Sequence, residues 1–260
     1  MSLEGRVALV TGAGRGVGRG IALALAEDGA DVAVNYRRDE EAANEVVEQI
    51  RAMGRRAGAY QASVDDPDAN REMVAAIRAD LGDVGILVNN AGIASRGHSV
   101  ADTEPAELQR VMATHAFAAH CLSGLVVPAM REMDRADIVM ISSVATRGLG
   151  ANGAPYNMAK TAMEALASTL AKEERAAGIR VNVVAPGLVE TEMGRRLASA
   201  TRGVKDMREL DATMPFGRVC QPEDVANVVR FLVSPGNSYV TGERIYCDGG
   251  GPLAGPRAAE

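Results

Sequence analysis

"TGAGRGVG", residues 11–18, follows the apolar run "RVALVT" (6–11) and opens into the helical pattern "GRGIALALAED" (18–28). A chain that leaves a strand and enters a helix this abruptly needs backbone freedom, which glycine supplies. Glycines also let backbone amides approach a pyrophosphate at the positive end of the helix dipole. A glycine-rich string alone says little. One that ends a strand, opens a helix and heads a βαβ unit points to a bound dinucleotide.

The rest of the chain repeats that unit. "DVAVNY" (31–36), "RAGAYQ" (56–61), "GILVNN" (85–90), "DIVMIS" (137–142) and "IRVNVVA" (179–185) are short apolar runs of strand character. Helical segments such as "DEEAANEVVEQIRAMG" (39–54) separate most of them. The alternation predicts an α/β fold, and strands apolar on both faces fit a parallel sheet covered by helices on each side. No linker or low-complexity tract divides the chain, so residues 1–250 read as one domain. The polar, Arg-rich stretch at 188–215 reads as an insertion over the site, and the tail "GPLAGPRAAE" (251–260) as flexible.

Composition narrows the function classes. At 260 residues and 47% hydrophobic, the chain suits one large α/β domain with ample core. A net charge of −6 argues against nucleic acid, whose phosphates want a basic face. Cys121, Cys220 and Cys247 are scattered and lack paired spacing, so neither a disulfide framework nor a metal site is expected. Together with the absence of a basic-then-apolar leader and of any long apolar run, this predicts a cytoplasmic protein without a membrane partner.

The end of the second strand speaks to the choice of dinucleotide. A carboxylate there would hold a ribose 2′-hydroxyl, whereas arginine would receive a 2′-phosphate. The chain has Tyr36, Arg37 and Arg38, with no acid before Asp39, and Arg15 stands inside the glycine turn. Arginine engages phosphate oxygens bidentately, so NADP(H) is the expected cofactor.

"APYNMAK" (154–160) places Tyr156 and Lys160 four residues apart, one helical turn on a shared face. A neighbouring ammonium favours a phenolate, so the phenol pKa is expected to fall from about 10 toward neutrality. Tyr156 is thus a candidate general acid or base.

Five segments in order now resemble the short-chain dehydrogenase/reductase family over essentially the whole chain. They are "TGAGRGVG", "NNAG" (89–92), Ser143 thirteen residues before Tyr156 with Lys160 four after it, "NVVAPGLVETEM" (182–193) and "TGERIYCDGG" (241–250). The resemblance implies a single-domain, doubly wound Rossmann fold of about seven parallel strands. It also implies a Ser143–Tyr156–Lys160 catalytic set, in which Tyr156 donates a proton to a carbonyl oxygen, Ser143 steadies that oxygen and Lys160 bonds the nicotinamide ribose. The implied cofactor residues are Gly12, Arg15, Gly16, Val17 and Gly18 in the turn, Tyr36 and Arg37 after the second strand, and Ser63 and Val64 near the adenine. Asn90, Ala91 and Gly92, Tyr156 and Lys160, and Pro186, Gly187, Val189 and Thr191 complete them. A homotetramer built on paired helices near 104–131 and 154–177 and on the C-terminal strand region is implied as well.

The chain departs from the family pattern at two positions. Ser63 stands where an acid often precedes Val64, and His115 stands where the family places an asparagine whose water links the lysine to solvent. Histidine can bond water too, but it is larger and can charge. The pattern is closest to 3-oxoacyl-(acyl carrier protein) reductases; Arg195, Arg196, Arg202, Lys205 and Arg208 read either as the solvated face of a lid helix or as a contact for an acidic carrier or a CoA phosphate. A dehydrogenase of sugars, steroids or small ketones, and an NADP-binding protein that has lost catalysis, are the alternatives.

Overall fold

The computed structural model describes residues 2–251, so all of the "GPLAGPRAAE" tail but Gly251 lies outside the described residues. The elements alternate as the apolar runs predict. Strand β1 (Val7–Val10) leads to α1 (Gly16–Glu27), β2 (Asp31–Tyr36) to α2 (Glu40–Ala52), and β3 (Ala57–Gln61) to α3 (Pro67–Asp80). After β4 (Val84–Asn89) comes one long helical stretch: α4 (Pro105–Met112), a π-helical turn (Ala113–Phe117) and α5 (Ala118–Met130). Then follow β5 (Ala136–Ile141), the single turn α6 (Ala145–Gly148), α7 (Ala154–Glu174), β6 (Ile179–Pro186), α8 (Glu192–Arg202), α9 (Pro222–Val233) and β7 (Arg244–Cys247).

The strands form one seven-stranded parallel sheet in the order β3-β2-β1-β4-β5-β6-β7. β4 and β5 are buried at every position, the signature of a sheet covered on both faces. One core lies between the sheet and α1, α2 and α9, with Ile21, Leu25, Val46, Ile50, Val229 and Leu232 at its centre. A Cβ on Gly20 of α1 would meet Pro222 of α9 at 3.1 Å, so glycine sets how closely these two helices approach. The other core packs α3, α5 and α7 against the opposite face through Met73, Ile77, Leu122, Met130, Met163 and Ala167.

Two sequence expectations need correction. From Val111 to Met130 the chain carries no charge, and Pro105–Met130 is long and apolar enough, by length and composition, to cross a membrane. More than half of the residues from Val111 to Met130 are buried, because Leu122, Val126 and Met130 supply one wall of the second core. The 188–215 stretch is also more ordered than its polarity suggests. Thr191 caps α8 by accepting from the Gly194 amide (3.0 Å), and Ala198, Met207, Leu210, Met214 and Val219 close a small core of their own.

At the N-terminal edge of the sheet, Asp137 is 2% exposed. It accepts from Arg6 Nη2 at 2.7 Å and from Arg135 Nε at 3.0 Å. Arg6 also donates to the Gly85 and Val233 carbonyls, both at 2.9 Å, tying β1, β4, β5 and the end of α9 together.

Candidate active site

All the candidate residues lie at or beyond the carboxyl ends of the strands. The crevice opens between β1 and β4, where the strand order reverses, the usual ligand position in an open α/β sheet. The turn after β1 is built for close approach. Gly12 and Gly16 have φ of +62° and +55°, which glycine adopts without strain. A Cβ on Gly18 would lie 2.4 Å from the Gly12 carbonyl oxygen and 2.5 Å from Asn90 Nδ2. Only a turn free of side chains at these positions closes this tightly, and a diphosphate fits the cradle that results.

Side chains on neighbouring strands hold that cradle in place. Thr11 Oγ1 accepts from the amides of Asn90 and Ala91, both at 2.9 Å. Asn90 Nδ2 donates to the Thr11 carbonyl at 2.8 Å. Asn35, 1% exposed, accepts from the Gly12 amide (3.1 Å) and donates to the carbonyls of Tyr60 (3.2 Å) and Ala62 (3.1 Å). The sequence reading missed Asn35 as a positioning residue. Its signal was present as the polar residue that interrupts the apolar run between Val34 and Tyr36.

Not every predicted cofactor residue offers its side chain. Tyr36, Val64 and Val189 are buried in the cores, so they can meet a ligand chiefly through backbone groups. Val17 also packs against the first core, and Pro186 is buried at the end of β6. Ser63 donates to the Asp65 carboxylate, and Gly187 sits against Asp248. Thr191 spends its oxygen on the α8 cap. Arg37 is exposed beyond β2 and free to swing toward a phosphate. Arg15 is exposed and pairs with Glu192 of α8 at 2.9 Å, linking the glycine turn to the 188–215 insertion.

At the end of β5 the reactive candidates converge. Ser143 lies close enough to Tyr156 to favour the ionised phenol. Ser143 Oγ also accepts from the Ala145 amide at 3.1 Å, a local turn contact just ahead of α6. Its neighbour Ser142 is committed elsewhere, donating to buried Glu164 at 2.5 Å, so geometry agrees with spacing in selecting Ser143. Lys160 is 3% exposed, with Nζ donating to the Ile141 carbonyl at 2.6 Å and lying 5.7 Å from the Tyr156 ring centre. Glu164, the next residue on that face of α7, was missed by the sequence reading although it continues the four-residue spacing.

The electrostatics correct one expectation. Burial pushes the Tyr156 phenol above its ordinary value, and only the Ser143 contact opposes this. Burial also pulls Lys160 down to about 7, with Glu164 resisting. The lysine is therefore a weaker cation than its spacing suggested, and the phenol stays protonated at neutral pH. A protonated phenol is the form that donates to a carbonyl oxygen.

His115 sits in the π-helical turn, 2% exposed, with Nε2 2.9 Å from the Ile93 carbonyl oxygen. The Ile93 amide also donates to Nε2 at 3.2 Å, so this nitrogen faces both backbone groups of Ile93 and finds a partner there in either tautomer, while Nδ1 is buried without a partner among the described residues. The imidazole fills the space over Gly92, where a Cβ would lie 2.6 Å from Cε1, and packs edge-on against the Tyr156 ring at 5.4 Å. Burial, reinforced by the Lys160 cation, holds its pKa down to about 3. The sequence allows this histidine to charge, but the ring stays neutral across roughly pH 6–9, the range around the ordinary imidazole value of about 6.5. His115→Leu removes the polar contact with the Ile93 backbone and should lower kcat by the equivalent of about 1–3 kcal/mol. His115→Asn brings both a donor and an acceptor and should recover most of it. Matching pH–rate profiles for wild type and Asn are expected, and an inflection lost only with the imidazole would contradict the assignment.

A glycine-lined dinucleotide crevice beside a Ser–Tyr–Lys constellation defines a nicotinamide-dependent oxidoreductase. Residues 12–251 match the enoyl-(acyl carrier protein) reductase family model. The chain is 37% identical over 251 residues to the 3-oxoacyl-[acyl-carrier-protein] reductase FabG of Escherichia coli K12, covering 96% of this chain and 98% of that one. Among solved structures it resembles a 7α-hydroxysteroid dehydrogenase complexed with NADH and 7-oxoglycochenodeoxycholic acid (TM-score 0.88, 32% identity, 96% and 95% coverage). It also resembles the angucycline C-6 ketoreductase LanV with bound NADP (TM-score 0.86, 34% identity, 95% and 96% coverage). The chain belongs to the short-chain dehydrogenase/reductase family.

Proposed function

We propose that the protein is an NADPH-dependent reductase that converts a ketone to a secondary alcohol, with 3-oxoacyl thioesters as its substrate class. The observation that carries this reading is buried Lys160 with its Nζ 5.7 Å from the Tyr156 ring centre, and Ser143 close enough to act on the phenol. Bound NADPH supplies the hydride that the carbonyl carbon accepts. Tyr156 gives its phenolic proton to the carbonyl oxygen, and Ser143 donates a hydrogen bond to that oxygen as charge develops. Lys160 holds the nicotinamide ribose and returns a proton to Tyr156. His115 positions Ile93 and the Tyr156 ring.

Gly12, Gly16, Val17 and Gly18 cradle the phosphates, with Arg15 and Arg37 reaching the 2′-phosphate. Ser63, Val64, Asn90, Ala91 and Gly92 border the adenosine, and Pro186, Gly187, Val189 and Thr191 face the carboxamide side. The 188–215 segment serves as the substrate lid. Met193 and Leu197 leave apolar surface exposed on α8, fit for an acyl chain. Arg195, Arg202, Lys205 and Arg208 are exposed on the same segment and suit an acidic carrier, while Arg196 is tied to Glu192. The likeness to a hydroxysteroid dehydrogenase supports a second reading, a cyclic ketone as substrate. Small residues on the outer face of α7 (Thr161, Ala165, Ser168) suit close packing in a cytoplasmic homotetramer, checked by light scattering at micromolar concentration.

Initial rates with NADPH and a panel of 3-oxoacyl thioesters, cyclic ketones and sugars test the substrate class. Thioesters should be turned over fastest, and a flat response to every thioester would overturn the assignment. Cofactor choice is tested by titration. NADPH should bind more tightly than NADH, and Arg37→Ala should weaken NADPH by about 1.5–3 kcal/mol, roughly ten- to hundredfold in Kd, while sparing NADH. Equal wild-type affinity for the two would refute the 2′-phosphate roles of Arg15 and Arg37.

A further inference from the structure

Cys220 and Cys247 stand far apart in the sequence and side by side in the fold. Cys247 ends β7, and Cys220 lies just ahead of α9. Both are free, half-buried thiols packed against the same core. Cys220 Sγ lies 4.0 Å from the Cys247 carbonyl oxygen, close enough for the two thiols to act on each other. The Cys220 S–H favours a thiolate on Cys247, which pulls Cys247 below the ordinary thiol range, while Cys220, which keeps the proton, is pushed up. Cys121, on α5 across the sheet, has no such neighbour among the described cysteines.

The pair also supports one wall of the crevice. The Gly187 amide donates to the Cys247 carbonyl at 3.0 Å, and the Glu190 amide to the Cys220 carbonyl at 2.8 Å. Val189 forms a parallel bridge with Cys220. The 187–190 segment is thus suspended between the two cysteines. A sulfur–sulfur bond is about 2.05 Å long, well inside any non-bonded contact, so forming one draws both supports together.

We propose that Cys220 and Cys247 form a reversible disulfide by exchange with a low-molecular-weight disulfide, and that this bond resets the 187–190 segment and weakens dinucleotide binding. The second half rests on the cofactor reading above, and the first does not. In the exchange, the Cys247 thiolate attacks one sulfur of the small disulfide, forming a mixed disulfide and expelling one thiolate. Cys220 then loses its proton to solvent and attacks the Cys247 sulfur, expelling the second thiolate. The protein thiols give up two electrons, the small disulfide accepts them, and two small thiols leave.

The test treats the purified full chain with oxidised glutathione, followed by non-reducing digestion and mass spectrometry. A peptide pair joined through Cys220 and Cys247, two hydrogens lighter than the reduced pair, is expected. Cys220→Ser and Cys247→Ser should abolish it, and Cys121→Ser should leave it. Free thiols at both positions, glutathione on each without a cross-link, or a bridge to Cys121 would each overturn the disulfide. NADPH titration by fluorescence reads the second half. The oxidised protein should bind several-fold more weakly, dithiothreitol should restore it, and oxidant-treated Cys247→Ser should match the reduced wild type. A complete cross-link with unchanged NADPH affinity would overturn the coupling. Failure of the reduced protein to bind NADPH would instead sink the cofactor reading, leaving the cross-link to be judged by mass alone.

Discussion

Tyr156→Phe should remove almost all turnover, lowering kcat by about 10²–10⁴-fold, the range general acid–base groups supply. The substitution deletes one oxygen and leaves the ring, so the edge-on contact with His115 and the position over Lys160 persist. NADPH affinity should therefore stay close to wild type, and the loss should fall on kcat. Ser143 cannot substitute as the acid, because an aliphatic hydroxyl is far less acidic than a phenol. A variant that retains most of its turnover would show that the proton comes from elsewhere and would remove Tyr156 from the mechanism.

The second large effect lies at the opposite edge of the sheet and concerns stability. Asp137→Ala removes the carboxylate that answers Arg6 and Arg135, with Arg6 only 17% exposed. Burial already pushes the Arg6 guanidinium below its usual value, with Asp137 the main opposing influence. Stripping the partner from a largely buried pair leaves an uncompensated charge, at a cost of about 3 kcal/mol. For a chain of this size that lowers Tm by roughly 6–12 °C. Asp137→Asn, which keeps one acceptor, should lose less. Because the site lies at the far ends of the strands, kcat measured well below Tm should hardly change. A drop of less than about 2 °C would show that the cluster is solvated and contributes little.

The sheet was legible because continuously apolar strands between amphipathic helices admit few alternatives, and "RVALVT" brackets β1 (Val7–Val10) to within a residue at each end. The site was legible where chemistry imposes spacing, as in the glycine turn and the Ser143–Tyr156–Lys160 set. Other features depend on surroundings that local sequence does not carry. The charge state of Lys160 follows from burial and Glu164, so spacing to Tyr156 predicted an ammonium stronger than the fold permits. Asn35 and the Cys220–Cys247 pair gain their meaning from neighbouring strands. α8 was hidden because Met193 and Leu197 point to solvent and its support, Met207 and Leu210, comes from the next turn of chain.

The most direct measurement uses NADPH deuterated at both C4 positions with a short 3-oxoacyl thioester, and mass spectrometry of the product. The account predicts a 3-hydroxyacyl thioester carrying one deuterium at the former carbonyl carbon, formed by the wild type and at most in trace by Tyr156→Phe. Cofactor consumption without deuterium at that carbon, or equal labelled product from both proteins, would contradict it.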